Sequence, residues 1–332
     1  MQGLLKRAVR LGAAAALAVA MAAPVAAEAA EGKIHVALGD VPSIETLNLL
    51  IAVERAKERG LDIQVTPFKS EDVAAQAVVG GQADVGVGTP YAMIQKVKAP
   101  IRLFYQMSNL RFFPVVDASV YKDWKDLNGK EVVVHSRGSG TEAIMKMMAQ
   151  RNGIEYGSIS YVPGSEVRAG AMLQGNIKAT VVDAANRRLL EEKAPGKFAV
   201  LPMENVNATD EALFANTEFL EREADAVTVL AEELMKTWRE INANPAVAAE
   251  LRKKYNLLPD LPADEEGEIV AYYTESAESK AFPEDGGNPG AVKADFEFYA
   301  VSGQLEGDPA SLKVEDFWTF EVAERARKNL GQ

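Results

Sequence analysis

The chain has 332 residues, with 36 Lys and Arg against 48 Asp and Glu, a formal charge of −12 and no cysteine. That balance excludes nucleic acid as an expected partner, because a phosphate backbone rewards the opposite sign. Without cysteine there are no disulfides, no thiolate metal sites and no cysteine nucleophile, so stability must come from buried apolar surface.

Lys6, Arg7 and Arg10 precede an alanine-rich apolar run over residues 11–23, and small residues follow at cleavage spacing, Val25-Ala26-Ala27 or Ala27-Glu28-Ala29. This is the pattern of a secretory signal peptide, expected over residues 1–27. The run is shorter than the ~20 residues that a membrane span needs. The expected location is the periplasm, reached through the inner membrane. What remains is longer than one core usually serves, so two lobes are expected.

Strand and helix signals then alternate. Residues 34–38 form a short apolar strand, and Gly39-Asp40-Val41-Pro42-Ser43 leads into a helix over 44–59 with Ser43 as its expected N-cap. A second strand covers 62–68, and a helix beginning at Ser70 ends at Gly80-Gly81. Residues 84–88 make a third strand, Thr89-Pro90 opens a third helix, and residues 101–105 read as a fourth strand. The grammar returns at 131–135, a strand ending in His135. The polar turn Ser136-Arg137-Gly138-Ser139-Gly140-Thr141 leads from it into a helix that stops at Asn152-Gly153. Strands at 158–162 and 179–183 and helices at 165–174 and 184–192 complete this block. GGQADVGVGTP lies against QGNIKATVVDA at a constant offset, pairing Gly81 with Gly175 and Thr89 with Asp183. Duplication and a shared α/β grammar both account for that match. Beyond residue 217 the pattern is helical, over 217–242, 247–255, 264–277, 289–302 and 320–329, and this tail is expected to pack on the first lobe.

The expected fold class is therefore α/β: two mostly parallel sheets flanked by helices, with a helical C-terminal tail. Crossovers are expected near 115–118 and 201–207. They divide the chain into a first lobe of 31–117 plus 205–332 and a second of 118–204.

In such sheets, ligands gather at the C-terminal ends of strands, where helix N-termini point. That rule selects Asp40, Ser43, Thr89 and Gln106 from the first block, and Ser136, Arg137, Ser139, Gly140, Thr141 and Asp183 from the second. Each Ser or Thr also reads as a helix cap, and Asp183 either caps the next helix or accepts from a ligand N–H. Gly138 and Gly140 do not complete a nucleotide-binding loop, since no Gly-Lys-Ser/Thr follows. Only His35 and His135 are available as imidazole ligands, so no metal or cofactor is expected. His35 and Trp124 read as structural. His135 beside Ser136 or Ser139 leaves a hydrolase-like exported enzyme open, although there is no Gly-x-Ser-x-Gly elbow. Helix N-termini and Arg137 suit an anion, whereas Asp40 and Asp183 suit an amine or a ring N–H.

Four stretches carry a resemblance: HVALGDVPSIETLNLLIAVERAKERGLDIQV, GGQADVGVGTP, WKDLNGKEVVVHSRGSGTEAIMKMMAQRNGI and FLEREADAVTVLAEELMKTWREINANPAVAAE. In this order they resemble the solute-binding proteins of ABC importers, in the nitrate/sulfonate/taurine and thiamine-precursor group of type 2 periplasmic binding proteins. The resemblance implies a two-lobed, non-enzymatic and monomeric receptor. It would capture a small polar solute, a sulfonate, carboxylate or heterocycle among them, and hand it to a membrane permease. It places ligand contacts near Ser43, Thr89, Ser139, Thr141 and Asp183. The GSGT turn also resembles TRAP-type solute receptors. Relatives that make thiamine precursors carry a His and Cys motif that this chain lacks.

Overall fold

The computed structural model describes residues 33–204, 206–263 and 265–332. The expected signal segment lies outside them. A first series runs β1 (Lys33–Leu38), α1 (Leu47–Glu58), β2 (Asp62–Pro67), α2 (Glu71–Val79), β3 (Val85–Val87), α3 (Tyr91–Gln95) and β4 (Ile101–Gln106). A second runs β5 (Phe113–Asp117), β6 (Glu131–Val134), α4 (Gly140–Asn152), β7 (Ser158–Tyr161), α5 (Ser165–Leu173), β8 (Ala179–Val182), α6 (Ala184–Lys193) and β9 (Phe198–Val200). After β10 (Ala212–Asn216) come α7 (Thr217–Arg222), α8 (Ala224–Ala243), α9 (Val247–Tyr255), α10 (Glu266–Glu278), α11 (Pro289–Val301) and α12 (Glu321–Asn329).

The strands make two five-stranded sheets, ordered β2-β1-β3-β10-β4 and β7-β6-β8-β5-β9. In each, four strands run one way and one runs against both neighbours: β10 between β3 and β4, and β5 between β8 and β9. The two sheets thus share one topology with an exchanged strand. β5 leaves the first series to join the second sheet, and β10 returns from the second series to the first.

That exchange moves one expected boundary. The first crossover is not at 115–118, where β5 already pairs with β8 and β9. It occupies residues 107–112, between β4 and β5. Val115 and Val116 are buried apolar residues that fill the second sheet, which is why this short run is a strand and not a connection. The return crossover covers the expected 201–207 and extends to residue 211. The two crossings lie side by side: Leu110 N–H donates to the Ala208 carbonyl at 2.9 Å, and Asp210 N–H to the Ser108 carbonyl at 2.9 Å. Asn109 and Thr209 form an antiparallel bridge.

Packing follows from the pattern. β3 and β8 are short, fully buried apolar runs with sheet on both sides. α8 is amphipathic and lays its buried face, with Leu230, Leu234, Trp238 and Ile241, on α1 and α12. The expected helix over 217–242 is two helices, α7 and α8, interrupted at Glu223. Two caps also differ from expectation. α1 starts after Thr46, whose hydroxyl accepts from Ser43 N–H at 2.9 Å. α5 starts after Gly164, which holds φ at +84°, and leaves the Ser165 hydroxyl free to accept from Asp183 N–H at 3.0 Å. Trp124 is packing, as expected, with its indole N–H on the Pro202 carbonyl at 2.7 Å.

A buried carboxylate braces the crossings from α11. Asp295 is fully buried and accepts from Thr209 N–H at 2.7 Å and from the Tyr91 hydroxyl. Tyr91 in turn accepts from the Trp318 indole at 2.8 Å. Burial raises the Asp295 carboxyl to about 6. Asp295→Ala leaves the Thr209 and Tyr91 donors buried without an acceptor, at about 1–3 kcal/mol each. Its urea-unfolding midpoint should fall clearly below that of the parent; an unchanged midpoint would remove Asp295 as a brace.

Candidate functional site

The C-terminal ends of both sheets, the two crossings and α10 meet around an inner chamber of about 60 Å³. Glu45 and Asn48 reach it from the β1–α1 turn and the start of α1, and Asp183 comes from the end of β8. Asp210 and Glu211 come from the return crossing, and Tyr272 and Ser276 from α10. A smaller recess continues from it, sharing Glu45, Asp210 and Glu211 and adding Asp40, Glu71 and His135. On its other side, Glu45 and Asp183 stand at the neck of an outer chamber of about 780 Å³ between α6 and the 258–268 segment.

The charge is lopsided. Glu45, Glu71, Asp210 and Glu211 are all held well above the usual carboxylate range. Burial is the main cause in each case. Neighbouring carboxylates push the same way. The nearby cations are spent elsewhere. Arg168 is buried and donates to the carbonyls of Val162, Gly164 and Val181. Arg111 donates to the carbonyls of Leu110 and Ser279.

His135 bridges the lobes as a neutral ring. Its Nδ1 accepts from Gly164 N–H at 3.3 Å, so Nε2 carries the proton and donates to the Gly39 carbonyl at 3.1 Å. Burial lowers its proton affinity, against the pull of Asp40 at 3.8 Å. Neither ring nitrogen faces a serine. Ser139 Oγ donates to the Ser136 carbonyl, and Ser136 Oγ is buried with no partner among the described residues. The base–nucleophile contact that a hydrolase needs is not made by His135 with Ser136 or Ser139.

The ten residues picked from the sequence are distributed as follows. Asp40, Ser139, Gly140 and Thr141 line the recess, and Asp183 lines the inner chamber. Ser43 lies on the outer chamber. Thr89 and Arg137 line a separate cavity against α2 and α3, with Thr89 bonded to the Tyr299 hydroxyl at 2.9 Å and Arg137 exposed over the Tyr161 ring. Gln106 is buried against Asn109 and Thr209, bracing the crossings. Two of the three hydroxyls in the Ser136–Thr141 turn are used internally: Ser139 Oγ accepts from Glu142 N–H and pairs with Thr141 Oγ1, which accepts from His135 N–H. Asp183 caps α6, accepting from the Asn186 N–H at 2.7 Å and from its side-chain amide at 3.0 Å.

Sequence reasoning missed Glu45, Glu71, Asp210, Glu211 and Tyr272. The strand-end rule reaches Glu45, two residues beyond Ser43. It reaches Asp210-Glu211 only once the run after them, ALFAN, is read as a strand. Among the described residues no helix is long and apolar enough to cross a membrane, and no group of His, Asp and Glu is arranged to hold a metal ion.

A model of the NMT1/THI5-like family matches residues 46–248. Among solved structures, a Bordetella bronchiseptica RB50 protein is similar at 21% identity, covering 91% of this chain and 99% of its own, with a TM-score of 0.75. The periplasmic nitrate-binding protein NrtA of Synechocystis PCC 6803 is similar at 13% identity over 90% of this chain and 89% of its own, TM-score 0.68. The alkanesulfonate-binding protein SsuA of Xanthomonas axonopodis pv. citri, bound to MOPS, is similar at 14% identity over 86% and 98%, TM-score 0.63. At these identities the likeness is one of fold, the two-lobed periplasmic-binding-protein fold. No curated protein matches the sequence.

Raised carboxyls fix a sign for stability. Between their ordinary pKa near ~4 and their raised folded values, the folded state holds more protons than the unfolded one, so stability falls as pH rises. His135 acts oppositely, costing stability as pH drops below about 6.5, but it is one group against these four together with Asp295 and Glu166, raised to about 6 and about 7. The melting temperature of the unliganded protein should therefore fall between about pH 5 and pH 8. A flat or rising calorimetric profile over that range would contradict the assignment.

Proposed function

The chain belongs to the NMT1/THI5-like family, and from that premise we propose that it is the solute-binding component of an ABC importer. It works in the periplasm as a monomer, captures a small polar solute between its lobes and delivers it to the membrane permease without catalysing a reaction. One observation carries this reading: a polar chamber walled by both lobes and by the paired crossings that join them. A closing two-lobed receptor needs that arrangement. Solved relatives described as ABC importer components support an ABC permease over a TRAP partner. The engaged nitrogens of His135 speak against the hydrolase alternative.

The lobes also meet at a latch on the chamber's outer side. Arg188 on α6 pairs with Glu268 at 3.1 Å and with Glu275 on α10, and Arg187 pairs with Glu275 at 3.1 Å. These pairs are partly exposed, so each contributes about 0.2–1 kcal/mol to the closed state. Arg188→Ala should therefore weaken solute binding about two- to fivefold, chiefly through faster release. Small-angle scattering should show a larger radius of gyration for the variant and a smaller one for the parent once solute is added. If a tight-binding solute leaves the parent's radius unchanged, the capture reading fails.

A further inference from the structure

The chamber is built for more negative charge than the protein itself neutralises. The carboxylates of Glu45 and Glu211 have no hydrogen bond or ion pair among the described residues, although both line the chamber. Leaving charged carboxylates unpaired in protein surroundings is costly. Asp210 receives only a long 3.4 Å bond from the Ser108 hydroxyl. The guanidinium groups of Arg111 and Arg168 are turned onto backbone carbonyls, and His135 is neutral.

A second observation is independent of the charge. Two polar side chains on the same wall, Tyr272 and Ser276, are only 8% and 5% exposed. Their hydroxyls find no hydrogen-bond partner among the described residues, and both residues line the chamber. Polar groups on buried side chains are nearly always paired, so two unpartnered hydroxyls opening into one space mark a place where a ligand supplies the partners. The chamber also carries aromatic walls, from Phe112, Phe113, Tyr272 and Phe282. Ring faces attract organic cations.

The cation on this wall is engaged with backbone: Arg111 lines the chamber but donates to the carbonyls of Leu110 and Ser279. Arg137 lies at the separate cavity, over Tyr161. At the α4 and α6 N-termini one N–H each is occupied, that of Glu142 by Ser139 and that of Asn186 by Asp183.

Taking the chamber as the solute site of the proposed function, we propose that the solute is an organic cation whose N–H-bearing head, an ammonium, amidinium or guanidinium, sits between Glu45 and Glu211. The size fits: the inner space admits a head group, and a longer body extends past Glu45 and Asp183 into the outer chamber. Leu50, Leu189, Leu258 and Leu261 give that body apolar contact, and Glu265 and Glu268 give a second positive group a place at the rim.

The test uses purified protein with agmatine, putrescine and benzamidine as cations, ethanesulfonate and nitrate as anions, and uracil as a neutral probe. At least one cation should raise the melting temperature saturably and bind more weakly as salt is added. Glu45→Gln and Glu211→Gln should each weaken that binding about tenfold to a hundredfold. Without any probe, both variants should melt at or above the parent, because each removes an uncompensated charge. Stabilisation by an anion or by uracil, with no response to any cation, overturns the cation assignment and leaves solute capture standing. If both glutamine variants melt well below the parent, the carboxylates are structural and the proposal falls whatever the probes do.

Discussion

Two chain crossings lie side by side between the lobes, and the backbone ladder between them is the constraint on which the rest depends. Each bond in it, Leu110 to Ala208 and Asp210 to Ser108, joins an outgoing segment to a returning one. The ladder exists because each sheet borrows its antiparallel strand from the other half of the chain. A single linker would let the lobes swivel. Two crossings held in register restrict them to opening and closing about one line. The same ladder brings Asp210 and Glu211 to the chamber wall, so the element that permits motion also carries charge to the site.

Closure has opposing contributions. The neutral His135 ring, bonded to Gly39 across the cleft, and the Arg187–Arg188 pairs with α10 hold the lobes together. The crowded carboxylates push them apart, since closing removes water from groups that repel one another. A receptor shut tightly without its solute would be useless. One whose closed state is destabilised by unmatched charge shuts only when something supplies the match. In this protein the repulsion lies inside the chamber, and the latch carboxylates Glu275 and Glu268 stand on the walls of the inner and outer chambers, so solute and latch meet at the same carboxylates.

Much of this architecture was legible in the sequence because parallel βαβ units announce themselves. A buried apolar run, a polar turn with a capping residue and an amphipathic helix recur, and β1 to β4 and β6 to β8 fell where that grammar put them. β5, β9 and β10 did not, for a common reason. Each is three to five residues long, and each lies next to a crossing or the sheet edge beyond one, so no helix pattern frames it. Asn216 ends β10 and caps α7, so strand and helix meet with no turn between them. The site suffered directly from that gap. The polar turn at 136–141 is conspicuous in the sequence, yet its Ser139 and Thr141 hydroxyls are taken up in holding its own shape. Glu45, Asp210, Glu211 and Tyr272 carry no motif. They acquire meaning only when the crossings and α10 bring together residues more than 150 positions apart.

A fold of this kind does not dictate the sign of its ligand. Helix N-termini at the strand ends offer positive potential in any such protein, and an anion site follows if those N–H groups are left free. Here one donor at each terminus is taken: Asp183 accepts from Asn186 N–H and Ser139 from Glu142 N–H. A carboxylate used as a cap does two things at once: it satisfies the helix, and it places a negative group where a ligand anion would otherwise sit. With Asp183 in that role and Glu45 beside it at the neck, side-chain charge competes with the helix potential at the strand ends.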